Sequence, residues 1–258
     1  MENQFFVDSE FLSAEALEKK HRLETDPSSR TNHLEYMRGM EQIESDVCRC
    51  VMEHMSSYDY SKYTADDVRK ALEHTSCTIE DFKALLSPVA EPFLEQMAER
   101  ARMETSKHFG NTVYLFTPLY IANYCENYCV YCGFNCYNHI NRMKLTPEQI
   151  EKEMKVIADS GMEEILILTG ESRSQSDIKY IGEACSLARK YFRLVGLEIY
   201  PVNVDEYKYL HECGADYVTV FQETYDADKY EKLHLLGHKR VWPYRFDAQE
   251  RALMGGMR

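Results

Sequence analysis

The chain lacks any apolar run of the length a bilayer demands. The longest runs, near Val113 and Ile165, fall well short of the roughly 18 to 20 residues that cross one. The start, Met-Glu-Asn-Gln-Phe-Phe-Val-Asp, has neither a basic n-region nor an apolar h-region, and it is too acidic for an organellar transit peptide. A cytoplasmic protein that does not bind a membrane is therefore expected. Positive charge is also short: 30 Lys and Arg against 43 Asp and Glu leave a net charge of −13. That balance argues against broad nucleic-acid binding and against docking on anionic lipid, leaving room only for a local basic patch. No triple-glycine phosphate loop is present, so binding of a nucleotide through its diphosphate is not indicated. Internal repeats and low-complexity segments are absent too.

What is present is an ordinary globular composition of 258 residues, 44% apolar and 28% charged, enough for one large core or two smaller ones. Residues 1–60 are polar and charge-rich and read as an N-terminal helical arm. Within it Met37, Met40, Ile43 and Val47 suggest a helix over Leu34 to Met52, on which Cys48 and Cys50 would diverge rather than share a ligand. Residues 61–110 read as a helical extension packing on the domain that follows. Thr64 with Asp67 and Thr78 with Asp81 are capping-box starts, and Gly110 is a stop.

From residue 111 the period changes. Strands are expected over Thr112 to Ala122, Glu164 to Leu168, Leu194 to Tyr200 and Tyr217 to Phe221. Helices are expected after Thr146-Pro147, over Ser176 to Phe192, over Asp205 to Cys213, and near Ala227–Leu233 and Ala248–Met254. Four successive β-then-α units with near-continuous apolar strands imply a parallel sheet clad by helices, either a barrel or a doubly wound sheet. In both, sites form at the carboxyl ends of the strands, where Asn123, Thr169 to Glu171, Asn203 and Gln222 to Thr224 gather.

Nine cysteines, an odd number, in a chain without an export signal argue against a disulfide framework and for metal or catalytic use of any tight group. Cys125, Cys129 and Cys132 form such a group, Cys-x3-Cys-x2-Cys, just after the first strand. Three thiolates can hold an iron–sulfur cube and leave one iron open. A zinc site completed by Cys136 or His139 is the alternative. Cys136 otherwise reads as a nearby free thiol, and Cys77, Cys185 and Cys213 as packing residues. His234 and His238, four apart, have helical metal-ligand spacing, but Gly237 intervenes and no Glu follows the first. Trp242 reads as packing.

The triplet with Tyr131 before its last cysteine and Gly133-Phe134 after it resembles the signature of radical S-adenosylmethionine (SAM) enzymes. Asn111-Thr112-Val113, Pro118-Leu119-Tyr120, Thr169-Gly170-Glu171, Phe221 to Tyr225 and Gly237-x-Lys239 to Arg245 extend the resemblance, over about residues 61–258, to the tyrosine lyases of that family, most closely the thiamine-biosynthesis branch. The resemblance implies a [4Fe–4S] cluster on Cys125, Cys129 and Cys132, with SAM on its open iron. Electrons would come from ferredoxin or flavodoxin. A 5′-deoxyadenosyl radical would take a hydrogen from L-tyrosine, and Cα–Cβ cleavage would give 2-iminoacetate and p-cresol for the thiazole synthase of the thiamine pathway. Tyr131, Thr169, Gly170, Glu171, Glu223, Thr224 and Arg245 are the implied cofactor-binding residues. Tyr131 would meet the adenine, Gly170 would permit close approach of a ligand's ammonium group, Glu171 would pair with that cation, and Arg245 would bind a carboxylate at two points. The hydrogenase-maturation lyases share these motifs, and a catalytically inactive metal-holding module is a further alternative.

A full (β/α)8 barrel takes about 250 residues. Residues 111–258 offer four β/α units, so the expectation is the first half of a radical SAM barrel in a C-terminally truncated chain, with tyrosine-binding residues beyond Arg258.

Overall fold

The computed structural model describes residues 12–258, so the chain start that was read for an export signal lies outside the described residues. The described residues form two compact units, one comprising residues 12–45 with Leu115–Arg258, the other Asp46–Tyr114.

The second unit is helical. It contains α2 (Val47–Ser57), α3 (Ala65–Glu73), α4 (Ile79–Leu85), a 3-10 segment Pro88–Phe93 and α5 (Leu94–Phe109), all following α1 (Ala14–Thr25) of the first unit. Both capping boxes form: Thr64 and Asp67, and Thr78 and Asp81, exchange side-chain and backbone hydrogen bonds. Val68, Ala71, Ala84 and Ala90 are buried, and Arg100 donates to the carbonyls of Leu72, His74 and Thr75. Gly110, at φ +61°, ends α5.

The helix expected over Leu34 to Met52 is confined to its last part, since α2 begins only at Val47. Residues 30–46 spend their polar groups elsewhere. Glu41 N donates to Asn203 Oδ1, Glu41 Oε2 accepts from Val204 N, and Gly39 O accepts from Asn203 Nδ2. The segment thus places a carboxylate at the start of α8 (Val204–Glu212), where the helix dipole favours a negative charge.

In the first unit the strands β1 (Phe116–Ala122), β3 (Glu164–Thr169), β4 (Leu194–Glu198) and β5 (Tyr217–Val218) form one parallel sheet in that spatial order. A doubly wound sheet reverses its order at a switch point, whereas a barrel adds strands in sequence. The observed order is the barrel's: the unit is a partial (β/α) barrel. A two-stranded antiparallel ribbon pairs β2 (Tyr128–Cys129) with β6 (His234–Leu236). Helices α6 (Pro147–Asp159), α7 (Ile178–Ala188) and α8 follow successive strands of the sheet. After β5 come α9 (Ala227–Leu233), α10 (Trp242–Phe246) and α11 (Ala248–Met254). Among the described residues no helix is long and apolar enough to cross a membrane.

Pleating separates two faces. Ile121, Ile165, Ile167, Val195 and Leu197 pack with Ile150, Met154 and Ile181 of the helices in one apolar core. The other face carries Tyr120, Leu168 and Glu198 in register across β1, β3 and β4. The fourth strand stops at Val218, short of the expected Phe221. Thr219 N still donates to Leu197 O, but the Phe221 carbonyl turns away to accept from Arg245 Nε.

Candidate functional site

The site is assembled where β1 and β3 end. The Ala122 carbonyl accepts from Gly170 N at 2.8 Å, bringing the cysteine loop and the Thr169-Gly170-Glu171 turn side by side. A Cβ on Gly170 would stand 2.2 Å from the Tyr124 carbonyl oxygen. The close approach that glycine allows here is therefore to the cysteine loop itself. The loop is pinned from below by Arg142, whose guanidinium donates to the carbonyls of Asn123, Phe134 and Asn135 at 2.8 to 3.0 Å.

All three cysteines of the loop are free thiols. Burial, with the Glu171 carboxylate second, pushes the Cys125 thiol up to about 11, and burial raises Cys129 further. Burial thus opposes ionisation of Cys125 and Cys129, and a bound cation would offset it. N–H groups already face the sulfurs. Asn127 Nδ2 lies 3.6 Å from Cys125 Sγ, which also takes the backbone N–H groups of Asn127 and Glu171, and Phe134 N lies 3.4 Å from Cys132 Sγ. Among the described residues no group of three His, Cys, Asp or Glu stands at the spacing that holds a single metal ion. Three thiols on one loop, two of them met by N–H donors that suit negative sulfur, fit an iron–sulfur cluster. Cys136 is fully buried against Tyr128, Tyr137, Leu235 and Leu236, in a small core of its own.

The charged candidates converge. Glu171 Oε1 accepts from Arg245 Nη1 at 2.9 Å and Oε2 from Asn127 Nδ2 at 2.9 Å. Burial opposes ionisation of Glu171, yet Arg245, Lys239 and Asn127 hold its carboxyl below the usual carboxylate range. Burial likewise opposes the Arg245 charge, and Glu171 outweighs it, raising the Arg245 pKa. Arg245, with 4% of its side chain exposed, is thus committed to Glu171 and the Phe221 carbonyl, while Glu171 keeps 15% exposed. Glu223 sits at φ +67°, the one non-glycine residue with positive φ among those described, and pairs with Lys239 Nζ at 2.7 Å. Backbone held in this region by its surroundings clusters at functional sites.

Tyr131 donates to His234 Nε2 at 2.8 Å, and its ring meets the imidazole edge-on. His234 Nδ1 faces the Tyr230 carbonyl at 2.9 Å, so the neutral tautomer carries its proton on Nδ1. Burial holds His234 down to about 4. His234 lies on β6 and His238 on a 3-10 turn, where His238 Nδ1 stands 3.9 Å from Glu126 Oε2. The helical spacing considered for this pair does not occur.

Two expected residues stand differently. Thr224 is used locally, its hydroxyl accepting from Asp226 N at the turn into α9. Thr169 is buried and its hydroxyl has no hydrogen-bond partner, as is also true of both polar atoms of the Gln222 amide. Orphaned groups of this kind at a rim are what a polar ligand satisfies.

Sequence reasoning missed Asn127, Glu126, His234, Lys239 and Arg142 as members of the constellation. Glu126, nearly inaccessible, accepts from the hydroxyls of Ser172 and Ser174 at 2.6 and 2.9 Å. Asn127 Oδ1 accepts from Lys239 N at 2.9 Å. The signal for Glu126 and Asn127 was their place inside the cysteine motif; for Lys239 it was the Gly-x-Lys motif.

Comparison with known proteins agrees with this geometry. The model of the radical SAM superfamily matches residues 119–254. The chain is 38% identical over 194 residues to the 2-iminoacetate synthase of Escherichia coli, covering 75% of this chain and 52% of that one. It is 34% identical over 173 residues to the 3-methylornithine synthase of Methanosarcina acetivorans, covering 64% and 48% respectively. Its fold matches the crystal structure of HydG, a maturase of the [FeFe]-hydrogenase, at a TM-score of 0.74 and 29% identity, over 83% of this chain and 49% of that one. The chain spans about half the length of the curated relatives it matches. It belongs to the radical SAM superfamily, whose cofactors are a [4Fe–4S] cluster and S-adenosylmethionine.

Proposed function

We propose that the chain serves a radical SAM lyase that cleaves the Cα–Cβ bond of L-tyrosine to 2-iminoacetate and p-cresol. The observation that carries this reading is the 38% identity to the 2-iminoacetate synthase of Escherichia coli across 194 residues. Cys125, Cys129 and Cys132 hold the cluster; when bound, the cluster and SAM supply a carbon radical by reductive cleavage. Glu171 receives the ammonium group of SAM. Arg245 keeps Glu171 ionised and in place, acting through it rather than on a carboxylate by itself. Tyr131 flanks the adenine, its phenol fixed by His234. Thr169 offers its unpartnered hydroxyl, and Gly170, Glu223 and Thr224 shape the rest of the rim. Ferredoxin or flavodoxin supplies the electron, and the thiazole synthase of the thiamine pathway consumes the imine.

The test is to reconstitute the chain anaerobically with iron and sulfide, then supply SAM, tyrosine and a reductant, and assay p-cresol and 5′-deoxyadenosine. 5′-Deoxyadenosine is expected from the chain itself and p-cresol from the chain extended by the segment expected to carry the tyrosine-binding residues, and Cys129→Ala should abolish both. Zinc binding without iron would overturn the radical reading. SAM cleavage with tyrosine untouched by the extended chain would overturn the substrate. The likeness to HydG supports a second reading, hydrogenase maturation; cyanide or carbon monoxide formed alongside p-cresol would favour it.

A further inference from the structure

We propose that Asn127 is a positioning residue that tunes the cluster held by the cysteine loop. Its side-chain amide donates one N–H to the Cys125 sulfur and the other to Glu171, binding the two into one electrostatic unit. The inference rests on the cluster reading above.

The amide is fully engaged and cannot flip. Nδ2 lies 2.9 Å from Glu171 Oε2 and 3.6 Å from Cys125 Sγ, while Oδ1 accepts from Lys239 N at 2.9 Å. A flipped amide would set its NH2 against the Lys239 N–H and its oxygen against a carboxylate, leaving a buried donor and a buried acceptor mismatched. Gly237 seals the arrangement. It sits at φ +93°, and a Cβ there would stand 2.2 Å from Asn127 Oδ1. Asn127 itself is 1% exposed, so water does not compete for either N–H.

An N–H aimed at a ligating sulfur favours the more negative, reduced state of an iron–sulfur cluster and so raises its reduction potential. In low-dielectric surroundings the effect is not screened away. Since the same amide also serves Glu171, the charge state of that carboxylate and the electron density on Cys125 are felt by one planar group. A purely structural asparagine would hold the loop without moving the potential.

The experiment is a redox titration of the reconstituted chain followed by electron paramagnetic resonance, comparing it with Asn127→Leu. The leucine has nearly the same size, removes the donor to sulfur and adds no charge. We expect full iron content and about a tenfold shift of the oxidised-to-reduced ratio toward the oxidised cluster, equivalent to about 59 mV for one electron. A potential equal to that of the unsubstituted chain, at equal iron content, would overturn the proposal. Should the variant fail to take up iron, the unsubstituted chain labelled with nitrogen-15 only in the asparagine side-chain amide decides. A nitrogen-15 coupling to the reduced cluster in pulsed resonance is expected, and its absence refutes the hydrogen bond. If the unsubstituted chain itself takes up no iron, it is the cluster reading that fails, and the inference falls with it.

Discussion

The helix-facing side of the sheet and its carboxyl-terminal rim are built by opposite means. The first is a continuous apolar layer in which Ile121, Ile165, Ile167, Val195 and Leu197 are each fully removed from water. Its stability grows with area buried and is indifferent to direction. The second buries charge, Glu171 with Arg245 and Glu126 beneath the hydroxyls of Ser172 and Ser174, while Glu223 pairs with Lys239 at its exposed edge. Its stability depends on every partner being in place, because each charge removed from water is costly unless matched. A layer of the first kind tolerates a change of shape; a network of the second kind tolerates only a change of both partners.

The sharpest break in that comparison is Arg245→Leu. It strands the Glu171 carboxylate, and urea denaturation should show a loss of about 3–5 kcal/mol. The double variant Glu171→Gln with Arg245→Leu should recover most of it, since no charge is then left unpaired. Losses that simply add would mean that the two residues act independently. On the apolar side, Leu197→Ala should cost about 2–5 kcal/mol through lost burial and a cavity, whereas Ile167→Leu should cost less than about 1.5 kcal/mol. Arg245→Lys, equally conservative in charge, should behave more like a deletion, because lysine cannot donate to both Glu171 and the Phe221 carbonyl in the same geometry.

The two regions also differed in how far they could be read from the sequence. Periodicity located α9 and α11 to the residue and gave the cores of β1, β3 and β4, because burial of a stripe or of a whole strand leaves a local pattern. The β2–β6 ribbon left none, since it joins Cys129 to His234 across the chain. The stretch 30–46 misled because its methionines fall at helical spacing while its polar groups are drawn to Asn203 and Val204. At the rim the motif residues were legible one by one. Their pairing was not: that Arg245 serves Glu171, and that Asn127 serves Glu171 and Cys125, depends on contacts between loops distant in sequence.

The pH response sharpens the comparison within the rim itself. His234 is held at about 4 against an ordinary 6.5. As pH falls below about 6.5 the unfolded chain binds this proton first, and the folded chain does so only near 4. Stability therefore declines across that window, by at most ~3 kcal/mol. His234→Gln should flatten the decline above pH 4.5 in denaturation curves of the metal-free chain. The apolar layer contributes nothing to this slope, so a slope unchanged by the variant would place its origin outside His234.

The smallest expected effect has the opposite sign. Thr169, like Gln222, breaks the rim's rule: its buried hydroxyl has no partner. Thr169→Val keeps the shape and removes the unsatisfied group, so the chain without cofactors should gain about 1 kcal/mol in denaturation. If the hydroxyl is kept for a ligand, the same change should weaken binding of S-adenosylmethionine to the reconstituted chain, measured by calorimetry, even as the fold is strengthened. Stability gained with affinity unchanged would assign Thr169 to the scaffold. Stability gained with affinity lost is the trade expected where a site withholds a polar group from its own fold in order to offer it outward.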